Sequence, residues 1–389
     1  MATSIRALIT PEVLAWARDL DKITIEEASR RIKVPVTKIE EWESGVSCPT
    51  LRQAKELAKF YRVPFVYFYL PDIPLKTKRI EKADYRTFGN VGDTFTQSRE
   101  LRWFLRDVDE RRDVMLELYK LEDRTPKPFI HHFPIGTAPV MVATFIRELL
   151  KLSESNQVSF RKPESFLSHC IRKLEELDVL IFQAAKVEPF EMRGLSLGYE
   201  VFPIVGLNRK DEYSARLFTL MHELAHIILG TSGLCNDTLE NSTTTDKVEL
   251  ICNKIAGLVL VPEELLEKHP ATINIKKYGF DDTYVRNIAR DFAVSKEVIL
   301  HRLWSLGIIA KDMYFSTLQR YTTEYHNYKA KKENGFLPPA LDKGTQVGKL
   351  YAKTVLSSYY DDRISIRDAS AYLLNLGPQH FERVEGWCF

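Results

Sequence analysis

The stretch ARLFTLMHELAHIILG, residues 215–230, constrains the fold more than any other part of this 389-residue chain. Its apolar positions surround a histidine, a glutamate and a second histidine, His222, Glu223 and His226. A helix puts His222 and His226 on one face, because residues four apart lie one turn above each other, and Glu223, one step round, reaches the flank of the point they share. Leu217, Phe218, Leu220, Met221, Leu224, Ile227, Ile228 and Leu229 make this helix apolar almost all round, so other elements must cover it, and Gly230 is placed to stop it. Burying two imidazoles and a carboxylate without strong partners costs several kcal/mol, whereas a metal ion satisfies all three. The competing structural reading is a pair of core histidines bonded to local backbone groups.

The HExxH order predicts Zn2+ bound by His222 and His226, with Glu223 as the base that takes a proton from water activated by the ion. A catalytic zinc needs a third protein ligand. Downstream acidic candidates are Asp237, Glu240, Asp246 and Glu249, with His269 further on. Glu249 opens VELICNKIAGLVLVP, a second apolar helix on which Glu249, Asn253 and Ala256 share one stripe. That spacing makes Glu249 the ligand and Asn253 a group able to orient a ligating histidine. Asp246 and Glu249 also fit a capping box, which would give the carboxylate a structural duty instead. Cys252 lies off this stripe and reads as a small core residue. Tyr213 and Arg216, upstream on the histidine helix, read as groups that position it.

Composition narrows the class. Fifty-five basic and 53 acidic residues leave +2, so no global field draws the chain to nucleic acid or an anionic membrane, and any DNA affinity is local. The sequence MATSIRALITPEV lacks a basic segment followed by an apolar core, and no run approaches the roughly 18 apolar residues of a spanning helix. A cytoplasmic protein without a membrane role is expected. Five scattered cysteines without CxxC spacing suit reduced thiols better than a disulfide framework.

Residues 10–62 carry four chemical helix starts: Thr10 before Pro11, then TIEE at 24–27, TKIE at 37–40 and TLRQ at 50–53, the last three matching capping boxes. Val13, Leu14, Ala28, Ile32, Ile39, Trp42, Leu57 and Ala58 fall at helical spacing between them. The order of pieces in ITIEEASRRIKVPVTKIEEWESGVSCPTLRQAKELAKFYRVP resembles the Cro and lambda-repressor type of helix-turn-helix over about the first 70 residues. On that resemblance the start of the third helix would meet base edges. The candidate DNA contacts are Arg30, Arg31, Thr37, Lys38 and Arg52, with Lys33 adding charge and Glu40 and Glu41 opposing phosphates. A helical bundle that binds another protein is the alternative.

Three prolines and a basic run between 64 and 82 mark a linker, and residues 97–122 read as one long amphipathic helix or two shorter ones. Helices are expected near 139–152 and 163–177. DVLIFQAAKV and SLGYEVFPIVGLN, divided by EPFEMRG, read as neighbouring strands, with Phe202 to Leu207 a sheet edge alongside the histidine helix. Residues 277–310 have a helix, turn, helix pattern. YKAKKENGFLPPALDKG reads as a polar hinge before a C-terminal helical cap.

RLFTLMHELAHIILG, VELICNKIAGLVLVPEELL and IARDFAVSKEVILHRLWSLGII together resemble the ImmA/IrrE family of metallopeptidases over about residues 135–310. The resemblance implies zinc on His222, His226 and Glu249, Glu223 as base, and cleavage of a helix-turn-helix repressor that frees genes of stress response, mobile elements or toxin-antitoxin type. It also places the 277–310 segment inside the peptidase domain. Small departures are Cys252 where the family often has Ala and Ile255 where Phe is common.

The expectation is therefore an α+β chain: an all-helical helix-turn-helix domain at 1–71, linker and amphipathic helices at 72–134, a mainly helical zincin-like domain with a small β-sheet at 135–310, and a helical C-terminal module at 311–389. The expected activity is a zinc endopeptidase acting on a protein regulator, with DNA as a further partner and an oligomer possible. The alternative is a DNA-binding regulator or antitoxin-like protein whose metal site is structural.

Overall fold

The computed structural model describes residues 5–74, 98–130, 132–231, 233–235, 244–329 and 337–388. They divide into two compact units, one holding the described residues up to 74 together with 98–106, the other those from 107 onward.

The first unit contains α1 (Pro11–Asp19), α2 (Ile25–Ile32), α3 (Val36–Glu43), α4 (Leu51–Phe60), a 3-10 turn at Phe65–Tyr69 and the opening turns of α5 (Arg99–Leu121). Thr24 with Glu27 and Thr50 with Gln53 make both bonds of a capping box. The expected box at Thr37 does not form. Lys33 ends α2 in a left-handed conformation, φ 60°, and Pro35, with φ fixed near the helical value, becomes the N-cap of α3. The helix thus starts at Val36 and TKIE falls inside it. The apolar residues picked out by spacing, from Val13 to Ala58, are buried in one core, and Arg18 ties α1 to α3 through a two-point bond to Glu43 at 2.7 and 2.9 Å.

The second unit continues with α6 (Pro139–Leu149), α7 (Glu154–Ser159), α8 (Pro163–Glu175), β1 (Leu180–Ala184), β2 (Gly194–Leu197), β3 (Ile204–Asn208), α9 (Tyr213–Ile228), β4 (Gly233–Cys235), α10 (Thr244–Leu260), α11 (Glu263–Lys268), α12 (Pro270–Tyr278), α13 (Asp282–Asp291), α14 (Lys296–Ser305), α15 (Lys311–Lys329), α16 (Pro339–Val347), α17 (Lys349–Tyr360), α18 (Ile366–Tyr372) and α19 (Phe381–Cys388). The architecture is α+β: helices around a four-stranded sheet in the order β1-β3-β2-β4. β1 runs parallel to β3, while β2 is antiparallel to both β3 and β4.

Here the structure corrects the strand reading. SLGYEVFPIVGLN is two strands, split where Phe202 turns left-handed, φ 53°, ahead of Pro203. β3 lies inside the sheet and not at its edge, with all five residues buried, which is why its apolar run is continuous rather than alternating. Residues 97–122 form one helix where described, and α7 is an additional short helix. The proposed hinge lies partly outside the described residues, and from Pro339 onward it is already α16. No helix among the described residues is long and apolar enough to cross a membrane.

α9 is covered on its sheet side by β2 and β3 and elsewhere by α8 and α10, which gives its all-round apolar surface somewhere to go. α10 is held at its C-terminal end by three side chains from three other helices. Arg147 Nη1 donates to the Val259 carbonyl (2.6 Å), Gln157 Nε2 to Leu260 (2.6 Å) and Arg302 Nε to Val261 (3.0 Å). These donors satisfy carbonyls that a helix end leaves orphaned, and the two guanidiniums also suit the negative end of the dipole.

The C-terminal helices pack as a cap on β1 and α8. Glu175, the last residue of α8, is buried where α17 begins and accepts a bond from Leu350 N at 3.1 Å. Burial pushes its carboxyl up to about 7, against the pull of the backbone donors of Leu350 and Lys349. Its folded pKa therefore lies above the ordinary glutamate value of 4.5, so its contribution to stability is fully present below pH 4.5 and is lost as pH rises through 7. Glu175→Gln keeps an acceptor without the ionisation. Its melting midpoint relative to the parent should rise between pH 5 and pH 8, by the equivalent of up to roughly 3 kcal/mol. Equal midpoint differences at both pH values would refute this assignment.

Candidate metal centre

The helical period of α9 brings the His222 and His226 rings together, with centroids 4.8 Å apart and Nε2 atoms 3.1 Å apart. α10 packs across this face and delivers Glu249, whose Oε2 is 3.1 Å from His222 Nε2 and Oε1 3.4 Å from His226 Nε2. Among the described residues this is the one group of three that could hold a metal ion, with ligand atoms within 4.8 Å of one another.

The donor set fits zinc. Ligand atoms at 2.0–2.2 Å from a tetrahedral ion sit about 3.4 Å from one another, close to the spacings here. The tautomer fits as well. His226 Nδ1 lies 3.0 Å from the Thr231 carbonyl and 3.0 Å from its hydroxyl. A carbonyl can only accept, so Nδ1 carries the proton and Nε2 presents its lone pair to the shared point. Burial alone would raise the pKa of Glu249, yet its close contact with the His222 and His226 imidazoles outweighs it and holds the carboxyl well below the usual range. The group is thus an anion at neutral pH, as a ligand must be.

Glu223 points to the sheet side of α9 and is wholly buried, 0% exposed. Phe218, one turn before His222, lies over its ring at 6.4 Å. Thr231 was not singled out from the sequence. Its signal is position: Gly230 turns left-handed, φ 67°, and Thr231 N then bonds back to the His226 carbonyl at 2.9 Å, which brings its own oxygens to the imidazole. Asn253 sits half-buried one turn along α10 from Glu249, but it is Thr231 that holds His226 Nδ1.

The other candidates separate. α10 begins at Thr244, so Asp246 is already helical and is not its N-cap. Asp237 and Glu240 lie outside the described residues. His269 is the N-cap of α12, accepting from Ala271 N at 3.2 Å, and lies beside Asp291 at 3.3 Å. Arg216 Nη1 donates to Gln183 Oε1 at 2.9 Å and its guanidinium stacks on Tyr213 at 4.2 Å, so the pair locks the start of α9 against β1. Cys252 is a buried thiol whose pKa burial pushes up, as a core residue's would be.

In the N-terminal unit Arg30, Arg31, Thr37, Lys38 and Arg52 are all exposed. Two of the cations are already paired: Lys38 with Glu41 at 2.6 Å and Arg52 with Glu56 at 3.2 Å.

A helix-turn-helix joined to a metallopeptidase domain is the class that these parts define. Residues 14–68 match the helix-turn-helix family model HTH_3, and residues 175–304 match that of the IrrE N-terminal-like domain, Peptidase_M78. The second match contains both histidines, Glu223, Glu249 and Asn253. No curated protein matches the chain.

Metal analysis of the purified chain should find about one zinc per molecule. His222→Ala, His226→Ala and Glu249→Ala should each abolish stoichiometric zinc, while Cys252→Ala retains it. Thr231→Val, which keeps the carbonyl but loses the hydroxyl, should weaken zinc binding by about tenfold or less. Full zinc occupancy in the Glu249 variant would remove that residue from the ligand set.

Proposed function

We propose that the chain is a zinc-dependent HExxH endopeptidase whose substrate is a protein regulator, a helix-turn-helix transcriptional repressor, so that its action releases repressed genes of stress, mobile-element or toxin-antitoxin type. The observation that carries the peptidase reading is the meeting of His222, His226 and Glu249 with Glu223 one residue away on the same helix. The repressor as substrate follows from the ImmA/IrrE resemblance and accords with the chain's own helix-turn-helix. We further propose the partition into 1–71, 72–134, 135–310 and 311–389 as the functional division of the chain.

In this reading His222, His226 and Glu249 hold the ion. Bound zinc supplies Lewis acidity toward water and the peptide carbonyl. Glu223 accepts a proton from the attacking water and returns it to the leaving amine. Its burial lets it do so without competition from bulk solvent, and the apolar shell of Leu220, Met221 and Leu224 limits the rotamers open to the site.

Zinc-loaded protein incubated with a proteome-derived peptide library, with new termini read by mass spectrometry, tests the reading. Cleavage should appear with the parent chain and fall by about 10²–10⁴ in Glu223→Gln while zinc content persists. A Glu223→Gln chain that still cleaves would exclude that residue as the base, and a parent that cuts no peptide would sink the peptidase reading.

The second reading, a DNA-binding regulator with a structural metal, is favoured by the match to the helix-turn-helix family and the exposed cations on α2 and α3. The Lys38–Glu41 and Arg52–Glu56 pairs weigh against it, since they spend positive charge locally. It requires binding to a palindromic duplex whose log affinity falls linearly with log salt and which survives zinc removal. Salt-independent retention, or none, would refute it.

A further inference from the structure

The Glu223 carboxylate lies where a side chain of β2 would otherwise be. An ideal Cβ built on Gly194 falls 2.1 Å from Glu223 Oε1, 2.8 Å from its Cδ and 2.5 Å from Thr219 Cγ2. Contacts this short do not occur between real atoms, so any residue other than glycine at 194 forces something to move.

What would move follows from the surroundings. Gly194 pairs with Leu207 on β3 and with Cys235 on β4, so its backbone is held by ladders on both sides and cannot retreat from α9 without breaking one. Thr219 is β-branched on a helix, where χ1 is stiff, and it is buried on the same α9 face one turn before Glu223. The Glu223 carboxylate is the end of a side chain with three rotatable bonds. It is the softest of the three.

Resting on the peptidase reading above, we propose that Gly194 is a positioning residue for that reaction: its missing side chain forms the seat that holds the Glu223 carboxylate against β2, at the flank of the His222, His226 and Glu249 cluster. A methyl at 194 takes the carboxylate's place and turns the base away, while the three metal ligands, none of which supplies the atoms nearest to that methyl, stay where they are. Gly194 therefore acts on catalysis through Glu223, the softest of the groups it meets.

The test uses the zinc-loaded full chain and the library peptide that the parent cuts fastest. Gly194→Ala should lower kcat at least 100-fold with KM within threefold and with one zinc retained. Asp at 223 is one methylene shorter and withdraws the carboxylate from β2, so adding Gly194→Ala to a Glu223→Asp chain should cost less than a further threefold. A crystal structure of the zinc-loaded Gly194→Ala chain should show the Glu223 carboxylate displaced by at least 1.5 Å and the ligand side chains unmoved. If the parent cuts no peptide, the peptidase reading falls and the catalytic role of Gly194 falls with it, and this structure then decides only whether Gly194 seats the carboxylate. Turnover of Gly194→Ala within threefold of the parent, loss of zinc or folding in that variant, a full multiplicative loss in the double variant, or an undisplaced carboxylate would each overturn the proposal. An inactive Glu223→Gln beside an active Gly194→Ala would remove Gly194 and leave the peptidase reading standing, whereas an active Glu223→Gln would remove that reading's base.

Discussion

The contact between Glu249 on α10 and the two imidazoles of α9 is the interaction on which the rest of the second unit is organised. It joins two helices that are both apolar enough to be buried, through polar groups that cannot be buried alone. Once α9 is committed to two inward histidines, the facing helix must supply an anion at one height and one rotation. The packing of α6, α7 and α14 then serves to keep α10 at that height, through Arg147, Gln157 and Arg302 at its far end. The sheet does the same for α9 from the other side, since β2 and β3 lie against it. Hydrophobic burial holds the helices together; the polar cluster selects which of many possible packings is the native one.

The two matched families sit at opposite electrostatic extremes of the same chain. The cluster at α9 and α10 is shielded, with both histidines buried and an anionic carboxylate between them. The candidate contacts on α2, α3 and α4 are open to solvent and partly neutralised by neighbouring glutamates. Charge in the first location is scarce and strongly felt, because little water screens it; charge in the second is abundant and individually weak. The physical circumstances of the two groups thus suit the different roles proposed for them.

Most of the helices and caps, and the meeting of His222, His226 and Glu249, could be read from the sequence because each rests on local periodicity or a few neighbouring residues. His222 and His226 need only the helical repeat, and Glu249 needs only its place at the head of an apolar stripe. The features that escaped need the third dimension. Thr37 looks like a cap until Pro35 takes the helix start from it. The split between β2 and β3 depends on a left-handed Phe202, an unusual conformation for an aromatic residue. β3 being internal and parallel to β1 follows from the crossing of a chain segment, which no run of residues records. Thr231 reaches His226 through a turn, and Gly194 reaches Glu223 across a strand-to-helix contact, so neither spacing carries a period.

The anchoring of α10 at its C-terminal end sets how Glu249 is measured out. Because Val259, Leu260 and Val261 are fixed to three other helices, the azimuth of Glu249 is counted backwards from them along about three helical turns. Each residue added or removed between the anchor and Glu249 would rotate that carboxylate by about 100° about the helix axis. Substitutions along that span can be absorbed by repacking, but its length cannot change by even one residue without carrying the carboxylate off the imidazoles. The segment works as a ruler, and evolution of this chain is free to alter its composition far more than its count.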